Sequence, residues 1–206
     1  MRQIFELFPT PIAWYSGLVS LSMVDSLSKE FAQAAGQINN HSTELRHSAI
    51  LSTESSASIG DLKNLILPEL KNFGALMFGE ELNWLMKELW LNVMEQGGSQ
   101  SIHNHANSFI SGIIYLTPSH PSAHTLFVKS LGGRDFAFSN TNSRTAIGAF
   151  NAEKWASPAP QPGDVILFPS YMLHEVPINR GARRVTIAFN AVPSQLDSWG
   201  YTLKMS

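Results

Sequence analysis

From residue 88 onward, the sequence consists of short apolar runs that are separated by Gly, Pro, Asn and Ser. The runs are rich in β-branched and aromatic residues, which is typical of strands joined by turns. The five clearest runs are ELWLNVMEQ, SFISGIIYLT, AHTLFVKS, DVILFPS and RRVTIAFNAV. This part of the chain is therefore predicted to be β-rich. Residues 118–155 have fewer apolar runs, and we expect strands joined by long loops there, with a lid as the candidate role of those loops.

The first 87 residues have the periodicity of helices instead. Apolar residues recur at helical spacing in residues 20–40 and again in residues 59–84. Pro68 is expected to kink or divide the second of these helices. The polar, Ser-rich residues 41–58 lie between them and are predicted to form a loop.

Helices that precede strands favour an α+β architecture. We expect one domain over residues 1–206, helical in residues 1–87 and β-rich in residues 88–206. The expected fold is a β-sandwich or a jelly roll, the double-stranded β-helix, with the N-terminal helices packed on the outer face of one sheet. A chain of 206 residues is long enough to bury a substantial core in such a domain.

The composition excludes several classes of site and partner. The sequence contains no cysteine, so disulfides, zinc fingers and thiol nucleophiles are absent. The formal net charge is −2 and neither tail is a basic block, so a nucleic-acid partner is not expected. No apolar run approaches the roughly 20 residues of a membrane span, and no signal-like apolar segment follows Arg2. We expect a cytoplasmic protein without a membrane partner. A homodimer is compatible with the sequence, which carries no marker of oligomeric state.

Two histidines stand two residues apart in the stretch SIHNHANSFISGIIYL, which begins at residue 101. Residues at positions i and i+2 of a strand point to the same face, so His103 and His105 are expected to lie side by side. His174 is a distant third. Three neutral imidazoles on a β-scaffold can bind iron, copper, zinc or nickel. The pair by itself is also compatible with a solvated loop end.

The final apolar run places a guanidinium on the inner face of a strand. Alternation puts Arg184 and Thr186 on one face, whereas Val185 and Ile187 lie on the other, apolar face, which can pack under the helices. A buried arginine needs an anion from the protein or from a ligand. The fork of its guanidinium suits a carboxylate. Arg183, on the opposite face, is expected to be exposed.

Three blocks of the sequence resemble the 2-oxoglutarate- and Fe(II)-dependent oxygenases. They are IFELFPTPI near the start, HNHANSFISGIIYL in the middle and PQPGDVILFPSYMLHEVP with RRVTIAFN near the end. The closer resemblance is to a small bacterial and phage family of such oxygenases, and it spans nearly the whole chain, least in residues 118–155. It implies a jelly-roll fold, bound Fe(II), 2-oxoglutarate as cosubstrate and its decarboxylation to succinate, with hydroxylation of an unknown substrate.

The resemblance assigns His103 and His174 to the first and last iron ligands of the superfamily. His105 stands where the superfamily has an aspartate or glutamate, which is a departure. Two histidines and a carboxylate lower the charge of the iron centre from +2 to +1, whereas three imidazoles leave it at +2. Either His105 is the third ligand, or it lies outside the coordination sphere and water takes its place.

The resemblance also assigns contacts to the cosubstrate. Arg184 and Thr186 match the Arg-x-Ser pair that holds the far carboxylate of 2-oxoglutarate. Tyr115 matches a strand tyrosine that contacts the same carboxylate in hydroxylases. Asn92 lies eleven residues before His103 and matches an asparagine that contacts the cosubstrate in relatives that act on nucleic acid.

Two other functions are compatible with the same residues. One is a cupin-like metalloenzyme that works without 2-oxoglutarate, and the other is a jelly-roll binding module or phage structural module with a structural metal. Arg184 would face the metal pocket only in the oxygenase. The remaining loop histidines His120 and His124 are expected to be solvated rather than to bind metal. The substrate, a small molecule or a peptidyl side chain, cannot be read from the sequence.

Overall fold

The structure, a computed structural model, describes residues 3–4, 6, 8–31, 36–38, 42–52, 56–131, 140 and 142–206. Within these residues the chain forms two α-helices, α1 (Leu21–Glu30) and α2 (Ala57–Phe78). The strands are β1 (Ala13–Tyr15), β2 (Gln37–Ile38), β3 (Ser42–His47), β4 (Trp84–His103), β5 (Ile110–Tyr115), β6 (Leu126–Val128), β7 (Lys154–Ala156), β8 (Val165–Pro169), β9 (Leu173–Val176), β10 (Arg184–Pro193), β11 (Gln195–Ser198) and β12 (Tyr201–Lys204).

One antiparallel sheet contains all the strands except the hairpin of β11 and β12. Its order is β1-β8-β5-β10-β4-β9-β6-β7, with β3 and β2 added beside β4. Strand β4 is 20 residues long. It pairs with β10 from Trp84 to Met94, whereas its end pairs with β9, where His103 lies opposite His174. The long strand thus belongs to both halves of a curled sheet, which confirms the predicted jelly roll.

The two helices cover the outer face of the larger half of the sheet. Each begins at a serine whose hydroxyl accepts an amide hydrogen bond, Ser20 for α1 and Ser56 for α2. Helix α2 is capped at its C-terminus by Gly79, whose φ of 71° suits a residue without Cβ. The buried stripe of α2 packs with outer-face residues of β4, β5, β8 and β10, namely Leu89, Leu91, Ile110, Ile114, Val165, Leu167, Ile187 and Phe189. The predicted position of the helices is confirmed.

Two expectations about the N-terminal part are wrong, and a third is wrong in part. The predicted loop 41–58 contains the strand β3, which pairs with the edge of β4. Only Leu45 of the β3 residues is buried. Pro68 does not divide α2, because the proline is exposed and water can reach the carbonyl that it leaves unpaired. A kink at Pro68 stays a prediction. The first predicted helix ends at Glu30 rather than near residue 40, because Gln37–Ile38 pairs with β3. Residues 32–35 of that predicted helix lie outside the described residues.

The described strands β6 and β7, in and just beyond the segment 118–155, form the edge of the smaller half of the sheet. Strand β6 pairs with β9 on one side and with β7 on the other. Residues 132–139 and 141, which carry much of the expected lid, lie outside the described residues, so the lid stays a prediction. Among the residues that the structure describes, no helix has the length and apolarity needed to cross a membrane.

Candidate functional site

Three histidine side chains converge between the two halves of the sheet. His103 is the last residue of β4 and faces His174 of β9, while His105 follows two residues later. The amide of His105 donates to the carbonyl of Ser170 at 2.9 Å, which fixes the turn before β5. One nitrogen of each ring lies within 4.8 Å of the others. Nitrogens this close can point their lone pairs at a single metal ion.

Backbone carbonyls orient two of these rings. Nδ1 of His174 lies 2.9 Å from the carbonyl oxygen of Met172, and Nδ1 of His103 lies 2.8 Å from that of Ser101. A carbonyl can only accept, so each Nδ1 carries the proton and each Nε2 keeps a lone pair. A metal-binding histidine usually has its other nitrogen held in this way. The donor set therefore fits a divalent transition metal.

Burial keeps the three imidazoles neutral. Burial, with a smaller contribution from the neighbouring His103, lowers the pKa of His174 to about 3 and that of His105 to about 4. Burial also lowers the pKa of His103, against the raising effect of its hydrogen bond to Ser101. A metal binds the neutral form of histidine. The site is therefore in its binding form at neutral pH.

The affinity of this site for a divalent metal is expected to change little between pH 7.5 and pH 6. Protons compete with a metal for the ring nitrogens, and two of the rings have pKa values of about 4 and about 3. Three independent histidines with ordinary pKa values near 6.5 would lose about fiftyfold in affinity over that interval. Calorimetric titration with Ni(II) at both pH values checks the prediction, and a loss of that size would contradict it.

A buried guanidinium lies in the same cavity. Arg184 is 4% exposed, and its Nη2 donates to Oγ1 of Thr125 at 3.3 Å. Its guanidinium carbon lies 5.3 Å from the ring centre of Tyr115, whose hydroxyl is 3.0 Å from the same Thr125 oxygen. The Nε of Arg184 is buried and has no partner among the described residues. Within the described part of the chain, no carboxylate pairs with this cation.

The cavity connects the histidines to Arg184. Its lining includes His103, His105 and His174, then Asn92 and Thr186, and finally Arg184. Arg183 points the other way, where its largely exposed side chain pairs with Glu95 at 2.7 Å. The predicted inward direction of Arg184 and the outward direction of Arg183 are both confirmed. A cavity with a metal site and an unpaired arginine suits a ligand that chelates a metal and carries a further carboxylate.

Comparison with known families decides between the alternatives. The profile of a family described as "Putative 2OG-Fe(II) oxygenase" matches residues 88–190, which is half of the chain. The chain belongs to this 2OG-Fe(II) oxygenase family. It is therefore an enzyme that depends on Fe(II) and 2-oxoglutarate, and its substrate is unknown. A comparison with curated protein sequences finds no match.

Solved structures of other 2OG-Fe(II) oxygenases have the same fold. HygX from Streptomyces hygroscopicus, solved with nickel and 2-oxoglutarate bound, is 13% identical with a TM-score of 0.63, over 90% of this chain and 84% of HygX. A Pseudomonas putida prolyl-4-hydroxylase is 15% identical with a TM-score of 0.61, over 88% and 92%. The viral collagen prolyl hydroxylase of Paramecium Bursaria Chlorella virus-1 is 11% identical with a TM-score of 0.58, over 87% and 94%. At such identities the likeness shows the double-stranded β-helix.

The structure of this oxygenase brings the residues predicted for its site into one region. Asn92 and Thr186 line the cavity directly, whereas Tyr115 adjoins Arg184 from the neighbouring strand β5. The roles assigned to them stay predictions. His120 and His124 lie outside the histidine cluster, as expected, although Nε2 of His124 is buried without a partner among the described residues rather than solvated.

Sequence reasoning missed two residues of the site. Thr125 is fully buried and joins Tyr115 to Arg184. The ring of Trp90 packs 5.7 Å from that of His105. Trp90 could have been found, because it lies two residues before Asn92 on the same strand and so shares its face. Thr125 had no such signal, because its contact with Arg184 joins residues that are 59 positions apart.

Proposed function

We propose that His103, His105 and His174 hold the Fe(II), and that Arg184 holds the far carboxylate of 2-oxoglutarate. The observation that carries the proposal is the buried guanidinium of Arg184, whose Nε lacks a partner in the described structure and which lines the same cavity as the three histidines. A buried cation without an anion is costly, and the second carboxylate of the cosubstrate supplies that anion. Neither a cupin-like enzyme without 2-oxoglutarate nor a structural metal site needs this arginine.

When bound, the iron and 2-oxoglutarate would supply the oxidising chemistry with O₂: one oxygen atom enters succinate as the cosubstrate loses CO₂, and the other enters a substrate C–H bond as a hydroxyl group. The protein supplies orientation. The carbonyls of Met172 and Ser101 hold two ligand rings, and Thr125 holds one arm of Arg184. We assign Thr186, Tyr115 and Asn92 to further contacts with the cosubstrate. The apolar wall beside His174 includes Phe168, whose ring centre is 4.9 Å away.

His105 takes the place of the usual carboxylate in this proposal. Its ring lies 5.2 Å from each of the other two, centre to centre, which is compatible with a third ligand rather than with a surface residue. Three neutral ligands leave the iron centre with a charge of +2, so the site attracts the anionic cosubstrate more strongly than the common triad does.

His105→Asp is expected to keep a working metal site and to bind Fe(II) at least as tightly as the wild type. The aspartate restores a ligand and adds a charge attraction to the metal. His105→Ala, which removes the ligand, should weaken Fe(II) binding by about tenfold or more. Anaerobic calorimetry measures both affinities. Asn104→Asp is the matched control, because it adds the same charge at an exposed neighbour. Loss of all metal in His105→Asp would show that His105 does not occupy the carboxylate position.

Anaerobic titration with Fe(II) and then with 2-oxoglutarate tests the proposal as a whole. Chelation of iron by the keto acid gives a weak metal-to-ligand charge-transfer band in the visible spectrum. We expect this band to saturate at one iron and one 2-oxoglutarate per chain. Iron binding without the band would favour the cupin-like enzyme. A zinc ion that is fully coordinated by the protein would favour the structural module, because a structural site leaves no open position.

The remaining features of the function stay predictions. A small-molecule or peptidyl substrate is supported by the location of the site inside the sheet rather than on an open surface. The net charge of −2 argues against nucleic acid as the substrate. A cytoplasmic location agrees with the use of 2-oxoglutarate, a metabolite of central metabolism. A homodimer and the absence of a membrane partner are likewise predictions.

A further inference from the structure

A row of polar side chains crosses the inner face of the larger half of the sheet. Glu88 of β4 lies opposite Asn190 of β10, which lies opposite Ser111 of β5. The Nδ2 of Asn190 donates to Oε2 of Glu88 at 2.9 Å, and the hydroxyl of Ser111 donates to Oδ1 of Asn190 at 2.8 Å. Ser111 also lies 2.8 Å from the hydroxyl of Ser170. The row is therefore a continuous hydrogen-bonded chain that ends in a carboxylate.

Ser111 of this polar row lines the metal cavity, and the row crosses the inner face at the end of β10 away from Arg184. The adjacent inner-face row contains Trp90 and Ala188, which line the cavity, and Trp90 contacts the ring of His105. Asn190 and Arg184 lie six residues apart on one strand, which corresponds to about 20 Å. The proposed cosubstrate occupies the part of the cavity between the metal and Arg184. The end of the cavity near Trp90 and Ser111, next to the polar row, is thus left for the substrate.

The carboxylate of Glu88 is held in place by a hydrogen bond rather than by a cation. Asn190 is its hydrogen-bond partner in the described structure, and no cation there forms an ion pair with it. An ionised carboxylate has about four acceptor positions, so further donors can bind. Ser111 fixes the direction of the Asn190 amide and thereby the position of the carboxylate. Trp90, the next inward-facing residue of β4, offers an aromatic face, which attracts cations.

We infer that Glu88 and Trp90 form a cation subsite, and that the substrate carries an ammonium or guanidinium group. The inference rests on the proposed function, because it takes the metal and the cosubstrate to lie where that proposal puts them. The carboxylate pairs with the cationic group of the substrate, and the aromatic ring packs against the carbon atoms beside it. This arrangement holds the substrate next to His105 and leaves the Arg184 end to 2-oxoglutarate.

The test compares a cationic probe with a neutral probe of the same shape. Protein loaded with Ni(II) and 2-oxoglutarate is titrated with para-fluorobenzylamine and with para-fluorobenzyl alcohol, and binding is followed by fluorine NMR. Because the charge pair between the amine and Glu88 would be partly exposed, we expect the wild type to bind the amine about fivefold more tightly than the alcohol. Glu88→Gln keeps an acceptor for Asn190 and should bind both probes equally. Glu81→Gln, which removes an exposed charge just before β4, should keep the preference.

A second variant, Glu88→Lys, shows whether Glu88→Gln acts through its charge or only through a change in the structure of the site. Glu88→Lys should reverse the preference, so that para-fluorobenzoate binds more tightly than the amine. The same samples are titrated with metal and 2-oxoglutarate by calorimetry. Two results overturn the subsite and leave the proposed function standing. In the first, the wild type binds metal and 2-oxoglutarate normally but shows no preference for the amine. In the second, the preference for the amine survives Glu88→Gln. Failure of the wild type to bind metal and 2-oxoglutarate overturns the proposed function and the subsite with it.

Discussion

Replacing His174 by alanine is expected to abolish stoichiometric Fe(II) binding, with a loss of at least about a hundredfold in affinity, or about 2.7 kcal/mol. His174 lies in the middle of the site, because its ring centre is 4.2 Å from that of His103 and 5.2 Å from that of His105. It is 4% exposed, and the carbonyl of Met172 holds its Nδ1, so its ring is fixed in position as a ligand. Anaerobic calorimetry with Fe(II), or with Ni(II) as a redox-stable substitute, measures the loss.

His120→Ala and His124→Ala are the matched controls for this prediction. Each removes one imidazole, and neither residue belongs to the histidine cluster. Both variants should bind metal with the affinity of the wild type. Thermal unfolding of the metal-free proteins shows whether each variant is folded. Metal binding that survives His174→Ala in a folded protein, or that is lost in either control, would show that the ligand set is wrong.

The inner face of β10 could be predicted because its residues alternate strictly. A strand with one apolar face must turn that face to the core, so the opposite face carries Arg184 and Thr186 into the cavity. The same local rule placed His103 and His105 together. The pairing of His103 with His174 needed the resemblance as well, because the residues are 71 positions apart and no local pattern sets their register.

Contacts between distant strands account for most of what the sequence did not predict. Glu88 meets Asn190 across 102 positions, and Thr125 meets Arg184 across 59. Each of these polar residues is also common on a solvated surface, so its type alone does not indicate burial. The strand β3 was missed for a related reason. It lies beside β4 with Leu45 as its one buried residue, and a single inward side chain produces no periodicity.

Replacing Arg184 by alanine is expected to weaken 2-oxoglutarate binding by tenfold or more while metal affinity stays nearly unchanged. A charge-assisted hydrogen bond to a carboxylate contributes about 1.5–3 kcal/mol when it is shielded from water, and about 1.4 kcal/mol corresponds to tenfold. Arg184 is 4% exposed, so the contact is shielded. Two calorimetric titrations measure the effect, the first with Ni(II) and the second with 2-oxoglutarate added to the nickel-loaded protein.

Arg183→Ala is the control that separates this contact from a general effect of charge. The two arginines are adjacent, so both variants lose one positive charge at nearly the same place in the chain. Arg183 lies on the outer face and pairs with Glu95, so its loss should leave metal and 2-oxoglutarate binding unchanged. Arg184→Lys should recover part of the affinity, because lysine keeps the charge but lacks the two-pronged fork. Equal effects of the two alanine variants would remove Arg184 from the cosubstrate site, and the cupin-like enzyme would then explain the metal centre better.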